Sequence, residues 1–120
     1  EGVDPVLTEK IQNEMLRFEL ENHRKPWVAM MGLAFKPNID DLRESPAKSI
    51  TSKVLQSGNN SQIMIVEPNV PEHNLFKLTN YKEAYEKADI VVFLVNHNEF
   101  AELNYRNDVK VLDFCGTFRK

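Results

Sequence analysis

Runs of apolar residues with no polar alternation limit what this chain can become. Trp27 to Leu33 and Ile90 to Val95 are apolar at almost every position, while Gln62 to Val66 reads as a second parallel strand and Val109 to Asp113 as a last strand. A strand with one wet face alternates apolar and polar residues, whereas a strand covered on both faces does not, and doubly covered strands belong to parallel sheets. The segments between the runs carry helical spacing or turn residues. Strands alternating with helices imply a parallel sheet joined by right-handed crossovers.

The expected fold is therefore α/β, a Rossmann-like parallel sheet with helices on both faces and the Trp27 strand central, preceded by a helix. That first helix opens on Asp4-Pro5, an N-cap and N1 pair, repeats Leu7, Ile11, Met15 and Phe18 at spacings of three and four, and ends near Asn22 to Arg24 before Pro26. Ala47, Ile50, Val54 and Leu55 give a second helix its buried side, with Gly58 as its C-terminal cap. Lys82 to Lys87 reads as a third helix with Ala84 and Tyr85 or Ala88 inward, and Glu99 to Leu103 as a short one. A short edge strand is expected near Phe76 to Leu78.

Composition narrows the function. A chain of 120 residues with 42% hydrophobic content supports one domain with a core of its own. No apolar run approaches the roughly 20 residues of a membrane span, and nothing reads as a signal peptide. A formal charge of -3 argues against a nucleic-acid partner. One cysteine, Cys115, excludes an internal disulfide and fits a reducing cytoplasm.

Ligands of open α/β sheets bind at the carboxyl ends of the strands, and the first strand ends in Gly32-Leu33-Ala34-Phe35-Lys36-Pro37-Asn38-Ile39-Asp40-Asp41-Leu42-Arg43-Glu44-Ser45-Pro46. Gly32 and Ala34 leave room for a ligand close to the backbone. Lys36 and Arg43 offer an ammonium and a planar fork for phosphate or carboxylate oxygens. Ser45-Pro46 supplies an N-cap and N1 proline, and a helix start also favours an anion. Asp40, Asp41 and Glu44 could instead tie the cations into a structural ion-paired loop, and both readings stand on the residues alone. Bound Mg²⁺ is disfavoured because Lys36 and Arg43 compete for the same oxygens, so no metal is expected.

This run resembles the signature that opens the C-terminal domain of the UDP-glucose/GDP-mannose dehydrogenase family, which oxidises the C6 hydroxyl of a nucleotide sugar to a carboxylate using NAD. Val66-Glu67-Pro68-Asn69, Ala88-Asp89, Leu94-Val95-Asn96-His97 and Val111-Leu112-Asp113 continue the likeness in register. Pro37 to Arg43 and Asn96 to Phe100 are most similar to the branch acting on UDP-N-acetyl-D-mannosamine. The resemblance implies that residues 1–25 are the end of a central linking helix and 26–120 the UDP-sugar-binding domain. It implies that Phe35 and Lys36 contact the UDP-sugar and that Arg43 reaches toward NAD, which the N-terminal NAD-binding domain of the same polypeptide mainly holds. A homodimer built on the linking helix is implied for the full-length enzyme.

No catalytic residue is assigned to this chain. It has no Gly-x-Gly-x-x-Gly fingerprint, and the family's thiol nucleophile lies in a motif that nothing here matches, so the chain alone is expected to be inactive. Cys115 lacks an adjacent cation to activate it and reads as an inert thiol; it also stands where the family commonly has Arg or Lys after the last aspartate, with Arg119 a solvated residue or a substitute. Glu67 occupies the position of a Rossmann ribose-binding acid, but without the glycine-rich turn a carboxylate capping Asn69 or a following turn is the better expectation. His97 and Asn96 should face the cleft, the histidine as a hydrogen-bonded structural group. Two alternatives remain: a non-catalytic nucleotide-sensing module using the same cleft, and a phosphorelay receiver, disfavoured because the third strand ends in Val95-Asn96-His97 where the phosphoacceptor aspartate should stand.

Overall fold

The computed structural model describes residues 3–34, 38, 42, 45–57, 62–73 and 76–115. Helix α1 (Val3–Asn22) precedes strand β1 (Val28–Met31), helix α2 (Pro46–Ser57), strand β2 (Ile63–Val66), helix α3 (Tyr81–Lys87), strand β3 (Ile90–Phe93), a 3-10 helix (Asn98–Glu102) and strand β4 (Lys110–Asp113). The strands form one sheet in the order β2-β1-β3-β4. All the pairings are parallel, with Val28 opposite both Ile63 and Ile90, and Ile90 opposite Lys110. As expected, β1 is an inner strand. The chain leaves β1 toward one edge and returns past it to β3, so the topological switch point lies between β1 and β3, where ligands of such sheets bind.

Side-chain alternation along β1 builds a core on each face. Val28 and Met30 join Ile11, Ile50, Val54, Ile63, Ile65, Ile90 and Val92 beneath α1 and α2, while Ala29 and Met31 join Met64, Val66, Ala84, Tyr85, Val91, Phe93 and Phe100 beneath α3 and the 3-10 helix. Every residue of β1, β2 and β3 is buried, which is why these segments are apolar throughout. Leu7, Met15 and Phe18 flank Ile11 against the first core, so the helical spacing marks the face of α1 that packs. Its end is sharp: His23 adopts φ 59 and its N–H donates to Glu19 O at 2.9 Å, a left-handed C-terminal cap.

The observed strands are shorter than the apolar runs. Ile90 to Val95 continues apolar because Leu94 and Val95 still pack inward and send their N–H groups to Met31 O at 3.0 and 3.4 Å, but the ladder stops at Phe93. The expected edge strand at Phe76 to Leu78 is only an isolated bridge between Ile65 and Leu78; Phe76 is held by burial and by stacking on His73 at 5.0 Å between ring centroids. Gly58, the expected cap of α2, lies outside the described residues.

Polar clamps fix the edge of the sheet opposite the switch-point loops. Asp89 accepts from both terminal nitrogens of Arg24 at 2.9 and 3.1 Å and from Trp27 N–H at 2.9 Å. Burial alone would raise the Asp89 pKa, but these donors lower it. Arg106 donates through Nη1 to the carbonyls of Tyr85, Glu86 and Ala88, covering the C-terminal end of α3, and pairs with Asp108 at 2.9 Å.

Candidate ligand site at the carboxyl edge of the sheet

Gly32 ends β1 with φ +105, and its N–H still reaches Val66 O at 2.8 Å. A Cβ here would stand 2.8 Å from Val95 Cβ and 3.1 Å from Val95 N. The space that the sequence suggested for a ligand is thus taken by Val95, just beyond β3. Ala34 is only 1% exposed, so its small side chain also serves packing rather than access.

Glu67 follows β2 and turns its carboxylate under the loop that leaves β1. Oε1 accepts from Leu33 N–H at 2.8 Å and Ala34 N–H at 2.9 Å, and Oε2 accepts from Asn69 N–H at 2.9 Å. His97 Nε2 lies 3.0 Å from Oε1, with both side chains wholly buried. The other ring nitrogen fixes the tautomer. Asn38 N–H, which can only donate, points at His97 Nδ1 from 2.8 Å, so Nδ1 must offer its lone pair and the proton sits on Nε2, donating to the carboxylate. The imidazole is neutral and Glu67 is ionised. Burial pushes the Glu67 pKa up, but the His97 bond and the Leu33 and Asn69 amides outweigh it and leave the carboxyl below its ordinary value.

Asn38 closes the arrangement. It holds φ 65, a left-handed conformation that asparagine tolerates, and its Oδ1 accepts from Asn98 N–H at 2.7 Å. Asn69 Nδ2 also approaches His97 Nδ1 at 3.0 Å. The loops after β1, β2 and β3 therefore meet on one buried ring. Where the β1 loop enters α2, Ser45 is a true N-cap: Lys48 N–H donates to its Oγ at 3.2 Å, while Oγ–H donates back to Leu33 O at 2.6 Å. The loop is tied at its root, at Asn38 and at its exit.

Phe35, Lys36 and Arg43, together with Asp40, Asp41 and Glu44, lie outside the described residues, as does Arg119. Glu67 caps Asn69 as expected but does more, and His97 is the structural group its isolated occurrence suggested. Asn96 is exposed. Cys115 is half-buried against the α3 side of the core, with Sγ 3.9 Å from Asp113 Oδ1; a neighbouring carboxylate does nothing to favour a thiolate. Among the described residues, no group of three or more His, Cys, Asp or Glu side chains is placed to hold a metal ion, and no helix is long and apolar enough to cross a membrane.

The profile described as "UDP-glucose/GDP-mannose dehydrogenase family, UDP binding domain" matches residues 29–117. The chain belongs to this family. It is 48% identical over 97 residues to the UDP-N-acetyl-D-mannosamine dehydrogenase of Campylobacter jejuni, covering 75% of this chain and 23% of that protein. A UDP-D-ManNAc dehydrogenase structure from Pyrococcus horikoshii superposes with TM-score 0.61 at 27% identity, covering 83% of this chain and 22% of that one. The native UDP-N-acetyl-mannosamine dehydrogenase of Staphylococcus aureus shares the fold with TM-score 0.68 at 21% identity, covering 98% of this chain and 28% of that one. The chain spans about a quarter of the length of such relatives. NAD is the cofactor the family implies, and the Rossmann position for its ribose-binding acid is Glu67. That carboxylate is wholly buried and already accepts protein donors on both oxygens, so the described residues do not fit a primary dinucleotide site.

Proposed function

We propose that this chain is the UDP-sugar-binding part of an NAD-dependent nucleotide-sugar 6-dehydrogenase, converting UDP-N-acetyl-D-mannosamine to the uronate in a cytoplasmic route to polysaccharide. The observation that carries this is the family match over residues 29–117, and the identity to the Campylobacter jejuni enzyme favours this sugar. Residues 26–120 form the binding domain and 1–25 end the linking helix. Phe35 and Lys36 contact the nucleotide, the ammonium near ribose and phosphates, and Arg43 reaches toward NAD held by a preceding domain. NAD supplies the hydride acceptor for a four-electron oxidation of alcohol to carboxylate; this chain grips and orients the nucleotide and contributes no nucleophile. A dry cleft between domains would strengthen both charge-assisted contacts. Val6, Leu16 and Leu20 of α1 are 51%, 56% and 69% exposed, three apolar side chains on one side of the helix that support a homodimer of the longer polypeptide.

Calorimetric titration with UDP tests the proposal. The chain, or the longer polypeptide if the cleft needs both domains, should bind UDP, and Lys36→Ala should weaken binding about tenfold to a hundredfold, the worth of one charge-assisted hydrogen bond. Failure of both to bind UDP would remove the function; equal binding by the variant would remove Lys36 from the site.

A further inference from the structure

We infer that His97 is a positioning residue for nucleotide binding, acting through Asn38 on the loop that carries Lys36 and Arg43. This deepens the proposed function and rests on it. Lys36 and Arg43 flank Asn38 in the sequence, and Asn38 is the described residue between them with hydrogen bonds to the segment after β3: its N–H donates to His97 Nδ1 and its Oδ1 accepts from Asn98 N–H, at 2.8 and 2.7 Å. The ring that receives it cannot drift, because its other nitrogen is bound to Glu67 Oε1 at 3.0 Å and the side chain is wholly buried.

His97 touches no ligand in this arrangement. Both ring nitrogens have protein partners, so it has neither a lone pair nor a proton to spare. Its effect is organisational: a backbone already fixed at Asn38 gives up less conformational freedom when a nucleotide binds, and that saving appears as affinity. The two nitrogens have separable tasks. The Nε2 side joins the ring to Glu67 and supports the fold. The Nδ1 side holds Asn38.

Amide side chains separate the tasks, since asparagine carries its carbonyl oxygen near the place of Nδ1 and glutamine its amide nitrogen near that of Nε2. UDP titrations of His97→Asn and His97→Gln should differ. His97→Gln should weaken UDP about tenfold, the worth of one lost hydrogen bond to a buried acceptor, and His97→Asn should stay within about threefold of the parent, although both lower the melting temperature. Amide hydrogen exchange at Asn38 should speed up in His97→Gln and stay slow in His97→Asn. Asn38→Gly, at an exposed position, keeps the backbone conformation and core but loses the bond to Asn98, and should weaken UDP as well. Equal affinities in the two His97 variants would overturn the inference; unchanged affinity in Asn38→Gly would remove the Asn98 bond from it. A parent that binds no UDP would refute the proposed function instead, and the exchange rates would then decide the positioning role: protection that is the same in both His97 variants rejects it.

Discussion

Glu67→Gln isolates the charge at the centre of the site while keeping nearly the same volume. The carboxylate receives Leu33 N–H, Ala34 N–H and His97 Nε2–H on one oxygen and Asn69 N–H on the other. An amide can keep only one of those oxygens. Its least costly orientation faces the new NH₂ toward Asn69 N–H, which forfeits one charge-assisted bond and sets two donors against each other in a buried place. Loss of one such bond costs about 1.5–3 kcal/mol, and the surviving bonds drop toward neutral strength, roughly half as strong. Together these give a destabilisation of about 3 kcal/mol, or a fall in Tm of roughly 10 °C for a chain of this size.

Urea unfolding at neutral pH measures it, with an unchanged m-value showing that the same surface is exposed. The pH dependence supplies a second arm. Because the folded pKa of Glu67 lies below its unfolded value, its contribution is full above the unfolded value of about 4.3 and disappears as pH falls through the folded one. The parent should therefore lose more stability than the variant between about pH 5 and the acid end, and the two curves should converge there. A cost under about 1 kcal/mol at neutral pH, or parallel acid limbs, would mean that the carboxylate does not hold the loop.

Gly32→Ala should cost roughly 2–4 kcal/mol by urea unfolding, because the new methyl meets Val95 Cβ at 2.8 Å and the backbone stands at φ +105; a cost under about 1 kcal/mol would refute both grounds. Arg106→Ala should cost about 1–2 kcal/mol and speed amide exchange along α3, since its guanidinium covers the carbonyls of Tyr85, Glu86 and Ala88. Arg106→Lys should restore little, because one ammonium does not match the spread of a planar fork; full restoration would show that charge at the helix end suffices.

The sheet was legible in the sequence because burial on both faces removes the need for polar positions, and runs such as Val28 to Met31 and Ile90 to Phe93 record that directly. Hydropathy registers burial rather than ladder pairing, so it carried β3 on to Val95 and made a strand of Phe76 to Leu78, where one bridge forms. The Ser45 cap was readable because its partner, Lys48, lies three residues away. The Glu67 and His97 network was not, since its bonds join residues about thirty or more positions apart and no local pattern encodes such a meeting. Arg106 was missed for a similar reason: nothing in its neighbourhood marks it as the cap of a helix some twenty residues earlier. Phe35, Lys36 and Arg43 were recognised only through family resemblance and lie outside the described residues.

Asn38 combines two demands that seldom fall on one position. Its backbone conformation is the one glycine enters most easily, yet its bond to Asn98 needs a short side chain ending in an acceptor. Glycine meets the first demand and fails the second; serine is short enough to attempt the second but resists the first; glutamine overshoots. Substitution at this position is therefore confined almost to asparagine and aspartate, by conformation and reach together. Whatever varies around it, this position should hold asparagine or aspartate.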